Sequence, residues 1–353
     1  NVRPIAFTTV PRLLEKVYEA IYNKGLVLEG LKKKLFFWAL DLTDDFELDQ
    51  KLSFTKKLQW KIANKLIFSK WRDALGGNIR LIVTGAAPCP SKILRVFCAA
   101  GIPIREAYGL TETSPTLTIN GLEPGGTYIG TVGYAIPGVS LMIDPSDGTY
   151  ADNEGEILAH GPNIMQGYYK QPEITAKVFK EIDGKKWFCT GDIGKLIKSD
   201  SGNEFLKITD RKKELLKTSG GKYVAPAPIE NKMKEDFLIE QMMVVGDKQK
   251  FVTALIVPAE VALKNWCDHK KLGWTTLNEM IQHQEVISKY QKVIDAYNPQ
   301  FSHIEQVKKF KLISSPWLPI HENGDEAELT PTLKLKRRVI REKFKNEILE
   351  LYK

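Results

Sequence analysis

From Pro11 to Asp73 apolar residues recur at helical spacing, in Leu13, Leu14, Val17 and Ile21 and again in Leu58, Ile62, Leu66 and Ile67. This pattern predicts a largely helical stretch with one packed face. After Gly76-Gly77, Ile79 to Val83 reads as a short buried strand and Thr84 to Pro90 as a loop. Ser91 to Ala100 then reads as a helix capped by Ser91 and ended by Gly101, and Ile102 to Glu106 as a second strand. Strand, helix, strand at this spacing predicts a parallel βαβ unit. Open α/β sheets bind ligands at the loops leaving the carboxyl ends of such strands, here near Gly85 and Tyr108. From about Asn120 to Ile208 short β-like runs alternate with turn signals at Gly125-Gly126, Pro137-Gly138, Asp147-Gly148, Asn153-Glu154-Gly155 and Ser201-Gly202-Asn203, which predicts a small antiparallel β subdomain. Past Asp210 come a lysine-rich turn, a helix after Pro228, and a hairpin of Met242–Val245 with Phe251–Val257 around Gly246-Asp247. Helices follow from Val261 to about Tyr297 and from about Lys336 to the end. The expected division is an α/β sheet region over 1–119, the β subdomain over 120–209 and an α+β domain over 210–353.

The chain's 353 residues suffice for two or three domains. With 43% hydrophobic and 27% charged residues it is neither collagen-like nor disordered. A net charge of +8 favours anionic partners without choosing among nucleotides, lipid and nucleic acid. Cys89, Cys98, Cys189 and Cys267 form no C-x-x-C pair, which argues against zinc and dithiol redox sites and fits reduced thiols in a cytoplasmic protein. The apolar run Leu35 to Leu40 is far shorter than the roughly 20 residues of a spanning helix. Its Phe36, Phe37 and Trp38 suit either a buried helix, the favoured reading, or peripheral contact with a membrane. Asn1 opens the chain without an initiator Met or a signal pattern, so the sequence is expected to start inside a longer protein.

Four stretches offer chemistry. Thr84-Gly85-Ala86-Ala87-Pro88 follows a strand with residues small enough for a flat ring to approach the backbone, although alone it reads as a tight turn. Tyr108-Gly109-Leu110-Thr111-Glu112 sets an aromatic face, a hydroxyl and a carboxylate within five residues, suited to a base, a phosphate oxygen and Mg²⁺. Thr190-Gly191-Asp192 and Asp210-Arg211-Lys212-Lys213 supply a carboxylate and a guanidinium suited to sugar hydroxyls or phosphate, with a solvated charged turn as the plainer reading of the second. Thr330-Pro331-Thr332-Leu333-Lys334 puts a lysine in a loop before the basic run Lys336 to Lys345. That run has few interleaved aromatics for base stacking, which argues against a nucleic-acid partner. His160, His269, His283, His303 and His321 show no metal-binding spacing, and Gly220-Gly221 lacks the P-loop pattern.

Taken in order, these stretches resemble the adenylate-forming acyl-CoA synthetases, and the long-chain fatty acid CoA ligases in particular. The resemblance spans the whole chain. It runs from Val2-Arg3-Pro4 through Val10-Pro11-Arg12 and Tyr18 to the helical insertion ending at Trp71-Arg72. It continues through Leu81–Pro90, Glu106–Pro115, Gly155–Gly167 with Tyr168-Tyr169, Trp187–Asp192, Asp210–Glu214, Ser219–Pro226 and Leu329–Arg338. The resemblance implies an adenylate-forming multidomain fold whose N-terminal part is missing: the later half of the large AMP-binding domain, a β subdomain and a mobile C-terminal domain. It implies ATP-dependent activation of a long-chain fatty acid to acyl-adenylate and transfer to coenzyme A, or, as the runner-up, to an acyl carrier protein.

By the same resemblance Lys334 stabilises the reacting phosphate, Glu112 holds Mg²⁺ and Thr111 contacts phosphate. Gly85, Ala86, Glu106, Tyr108 and Gly109 line the adenine pocket, and Asp192 and Arg211 bind the ribose. Asp210 is the hinge, and Gly220 and Gly221 line the path of the pantetheine thiol. Leu333 stands where many relatives have glycine. The family's Ser/Thr/Gly-rich phosphate loop does not occur in these residues, so the isolated chain is expected to lack synthetase activity.

Overall fold

A strand whose loop returns through a helix to a parallel neighbour needs short apolar strands and an amphipathic crossover. The segment from Leu81 to Gly109 supplies both. The computed structural model describes residues 3–146, 150, 153–199, 202–322 and 324–353. The turn signal at Asp147-Gly148, Ser201, and Val2 of the opening motif therefore lie outside the described residues. The chain divides into two units, 1–209 and 210–353.

The first unit opens with β1 (Ala6–Thr9), α1 (Pro11–Leu26), α2 (Gly30–Asp41), α3 (Phe54–Ala63), a π-helical turn over Asn64–Phe68, and α4 (Ser69–Ala74). β2 (Leu81–Thr84), α5 (Ser91–Ala99) and β3 (Ile104–Gly109) form the βαβ unit, with β1, β2 and β3 parallel. β4 (Thr116–Ile119) and β5 (Tyr134–Ala135) then add antiparallel strands to the same five-stranded sheet, in the order β1-β2-β3-β4-β5. The first sheet thus runs past the expected break at 120. Gly133 marks why: a Cβ there would stand 2.0 Å from the Ile119 carbonyl carbon, so the backbone after the turn lies directly on β4.

The second sheet is built from β6 (Ser140–Asp144), β7 (Gly155–His160), β8 (Phe179–Ile182), β9 (Lys185–Lys198) and β10 (Glu204–Arg211). Its order is β10-β9-β7-β6 with β8 on β9, and α6 (Pro172–Lys177) precedes β8. Its core includes Ile157, Leu158, Phe188, Phe205 and Leu206.

Ser91 is the first residue of α5 and not its cap. Pro90 holds the cap position, and because proline has no side-chain acceptor no side chain bonds the helix end. Gly101 ends the helix at φ +76°, as expected of a left-handed C-terminal stop. The apolar run in α2 joins the core: Phe36, Ala39 and Leu40 are buried, and the Phe36 ring lies 5.9 Å from that of Trp71. The structure thus supports the buried-helix reading of this run. No helix among the described residues is long and apolar enough to cross a membrane.

The second unit carries the hairpin β11 (Leu216–Lys217) and β12 (Tyr223–Val224), then α7 (Pro226–Met233), β13 (Ile239–Val245), β14 (Thr253–Pro258), α8 (Glu260–His269), α9 (Leu277–Met280), α10 (Gln284–Tyr297), β15 (Lys309–Leu312), α11 (Arg337–Lys343) and α12 (Lys345–Leu351). β13 and β14 pair antiparallel, as the hairpin pattern predicts, and β15 joins β14 in parallel. One face of this sheet packs Met242, Val244, Ala254 and Ile256 on α7 and α10. The other packs Met243 and Leu255 on Trp317, which follows β15, and on α11 and α12. Phe97 of α5 is fully buried in the first unit. Phe97→Ala is expected to cost about 3–5 kcal/mol, read as a lowered urea midpoint for that unit.

Candidate functional site

The loop after β2 is held by contact with the next strand. Gly85 lies so close to β3 that a Cβ would stand 3.0 Å from the Ala107 carbonyl oxygen, and Ala86 turns the chain at φ +68°. Beneath the loop, Glu106 pairs in register with Thr84 and accepts a hydrogen bond from the Cys89 amide at 3.2 Å. Burial pushes its carboxyl up to about 8, against the opposing pull of that amide. Glu106 therefore pins the loop from inside and keeps its proton near neutrality.

The β3–β4 connection depends on Gly109. A Cβ at this position would stand 1.7 Å from the Pro115 carbonyl oxygen, so no side chain fits. The register of β3 on β4 also shifts between Tyr108 and Gly109, a bulge that re-aims the side chains around it. Thr111–Thr113 form one 3₁₀ turn, the Leu110 amide donates to the Thr113 hydroxyl at 2.9 Å, and Ser114 adopts φ +54°. Asn163 donates to the carbonyls of Thr113 and Thr116 at 2.8 and 2.9 Å, and the Met165 amide donates to the Glu112 carbonyl at 2.8 Å. Tyr168 donates its hydroxyl to Glu112 Oε1 at 2.9 Å, and burial, then this carboxylate, raise the phenol's pKa. Thr111 is exposed and Glu112 half-buried.

On β9, Gly191 takes φ +74° and its amide donates to Glu156 Oε1 at 3.1 Å. The Asp192 amide donates to the Thr190 hydroxyl at 3.1 Å. Buried Asp192 receives the Tyr108 hydroxyl on Oδ2 at 2.7 Å. This bond joins residues 84 positions apart and ties the first sheet to the second. The first unit thus brings Tyr108 to Asp192, sets Gly85 against Ala107 of β3, the neighbour of Tyr108, and orients Glu112 with Tyr168. Asn163 and Tyr168 were assigned no role from the sequence. The only sign of them was their place in the Gly155–Tyr169 motif.

The remaining predicted residues lie in the second unit. Asp210 is buried at the end of β10, its Oδ1 accepting the Arg211 amide at 2.6 Å while Oδ2 makes no hydrogen bond within the protein. Burial raises this carboxyl to about 7 although Arg337 pulls it down. Arg211 is exposed. Gly220 and Gly221 are exposed in the turn of the β11–β12 hairpin, where the Gly221 amide donates to the Thr218 carbonyl at 2.9 Å and Gly221 takes φ +76°. Lys334 closes a tight loop: Leu329 bridges Leu335, the Leu333 amide donates to the Thr330 carbonyl at 2.8 Å, and the Lys334 amide donates to the Thr330 hydroxyl at 3.0 Å. Leu333 sits at φ +63°, the left-handed region that glycine enters most cheaply, and its side chain packs on the core formed with Trp317 and Ile340.

The chain matches the model of the AMP-binding enzyme over residues 1–169 and that of the AMP-binding enzyme C-terminal domain over 213–353. It belongs to the AMP-binding enzyme family. It is 34% identical over 354 residues to a long-chain-fatty-acid–CoA ligase of Mycobacterium bovis, covering 99% of this chain and 55% of that protein. It is likewise 34% identical over 361 residues to human long-chain-fatty-acid–CoA ligase 1, covering 99% and 48%. The chain spans about half the length of these curated relatives. In fold it is similar to the adenylation domain of a carboxylate reductase from Mycobacterium chelonae, with a TM-score of 0.65, 22% identity, and coverage of 99% of this chain and 47% of that one.

Among the described residues no three His, Cys, Asp or Glu side chains gather as a metal site. A lone, oriented carboxylate such as Glu112 fits Mg²⁺ all the same, since that ion takes one or two carboxylates and completes its shell with phosphate and water oxygens.

The folded Glu106 carboxyl keeps its proton up to about 8, whereas a solvated glutamate releases it near 4.5. Folding therefore takes up a proton between these values, and stability falls as pH rises through that window. Glu106→Gln is expected to match the parent near pH 4, below that window, and to exceed it by at least about 1 kcal/mol at pH 8, read from urea midpoints.

Proposed function

We propose that this chain carries the base-binding, ribose-binding and mobile-lysine parts of an ATP-dependent ligase that activates a long-chain fatty acid and passes it to coenzyme A. The observation that carries the reading is the Tyr108–Asp192 hydrogen bond beside the close-packed Gly85 loop, in a chain similar over its whole length to long-chain fatty acid CoA ligases. In this reading Gly85 and Ala86 give the adenine ring a flat backbone wall, with Gly109 and the Tyr108 ring along its edge and Glu106 holding the wall in place. Asp192 and Arg211 take the ribose hydroxyls. Thr111 bonds a phosphate oxygen, and Glu112, aimed by Tyr168, would hold Mg²⁺, which supplies charge neutralisation to the phosphates when bound.

The first step joins two anions. A carboxylate oxygen of the fatty acid attacks the α-phosphorus of ATP, an oxygen–phosphorus bond to pyrophosphate breaks, and acyl-adenylate forms. A fixed positive charge at the crowded phosphorus lowers that barrier, and Lys334 supplies it from a loop closed by its own backbone hydrogen bonds. In the second step the coenzyme A sulfur attacks the acyl carbon and AMP leaves. Rotation of the second unit about Asp210 exchanges Lys334 for the open Gly220-Gly221 turn, whose lack of side chains leaves room for a narrow pantetheine arm. Hinges of this kind absorb a large backbone change in one or two residues at an element's end.

In the full-length protein Lys334→Ala is expected to lower fatty-acid-dependent pyrophosphate exchange by about 10²–10³-fold, while thioester formation from preformed acyl-adenylate stays within about threefold of the parent. Equal loss in both half-reactions contradicts the role. Asp192→Asn is expected to weaken AMP binding about tenfold and to leave 2′,3′-dideoxy-AMP unaffected, measured by titration calorimetry.

A further inference from the structure

Lys334 owes its placement to more than its own loop. Two residues separate it from Arg337, the first residue of α11, whose guanidinium is nearly buried and engaged at each of its three nitrogens. Nη1 and Nη2 donate to the two carboxylate oxygens of Glu230 at 2.7 and 2.8 Å, and Nε donates to Glu214 at 3.0 Å. Glu230 is itself buried on α7 and accepts the Val244 amide of β13 at 2.7 Å. Glu214 stands in the turn that leaves Asp210, with its amide on the Arg211 carbonyl at 2.9 Å. One guanidinium therefore fastens three separate pieces of the second unit: the turn after residue 210, the helix α7, and the end of the lysine loop. The other end of that loop is also tied. The Lys336 amide donates to the Glu328 carbonyl at 2.7 Å, and the Glu328 carboxylate is held by Lys343 at 2.6 Å and His321 at 2.7 Å.

We propose that Arg337 is the positioning residue of Lys334, locking the lysine loop to the turn at 210–214 so that loop and hinge move as one piece. The proposal rests on the ligase reading above, in which Lys334 enters and leaves the site as the second unit turns about residue 210. A loop tied only by its own amides would reach the phosphate through a spread of positions, and a misplacement of about 1 Å can cost about 10²-fold in rate. The planar fork of arginine fixes direction as well as distance. Lysine, a single point charge on a flexible stem, cannot hold Glu230 with two parallel bonds and Glu214 with a third.

The test compares Glu214→Gln and Arg337→Lys with the parent in two settings. In the full-length protein both variants are expected to lower the kcat of fatty-acid-dependent pyrophosphate exchange about tenfold or more while the KM for ATP and thioester formation from preformed acyl-adenylate stay within about twofold. In the present chain, without any substrate, amide hydrogen exchange at Lys334 and Lys336 is expected to quicken about tenfold while amides of β14 keep the parent rate. Glu214 is the less buried of the two partners, so Glu214→Gln carries the test if Arg337→Lys fails to fold. Unchanged exchange at Lys334 and Lys336, or equal loss of both half-reactions, overturns the proposal. A full-length parent that makes no acyl-adenylate overturns the ligase reading instead, and the amide exchange of the chain still decides whether Arg337 holds the loop.

Discussion

No side chain can exist at position 109, because the carbonyl oxygen of Pro115 occupies the place where a Cβ would stand. That close approach forces the chain leaving β3 to fold straight back as β4, with a bulge between Tyr108 and Gly109. Side chains on the two sides of the bulge consequently serve different neighbours. Tyr108, before it, reaches Asp192 on the second sheet, and Glu112, beyond it, meets Tyr168. The candidate nucleotide face of the first unit is thus set by a backbone contact, with aromatic and acidic side chains placed by it.

Charge is buried in both units and handled in two ways. Where a carboxyl has few partners, as Glu106 with one amide and Asp210 with one, burial raises its pKa until the proton stays on near neutrality. Where a cation answers it, as Arg337 answers buried Glu230 with two parallel hydrogen bonds and half-buried Glu214 with a third, desolvation costs both partners and geometry decides whether that cost is recovered. The first device braces the loop over β2 and the start of the second unit. The second ties the lysine loop to the hinge turn.

Much of this was legible along the chain. The βαβ unit, the β13–β14 hairpin and the glycine stop of α5 follow from local spacing, and the ordered motifs identify the family. Of the misreadings, one is local and the others come from contact between distant residues. Ser91 looked like a cap because serine usually is one, but the helix already includes it and Pro90 stands at the cap. The sheet appeared to end near 120 because a glycine-rich stretch follows, yet Gly133 brings β5 back onto β4. Asn163 and Tyr168 lie some fifty residues beyond the turn they hold, and no local pattern links them to it. Leu333 breaks the glycine preference of its conformation because its side chain gains the core contacts that a glycine lacks.

The central claim is that the loop after β2, Tyr108 and Asp192 form one surface for an adenosine nucleotide. A crystal structure of this chain soaked with AMP tests it most directly. The account predicts the base lying along the Gly85-Ala86 backbone against the Tyr108 ring, with a ribose hydroxyl within hydrogen-bond distance of the Asp192 carboxylate. AMP bound at another surface, with that face left clear, would contradict it.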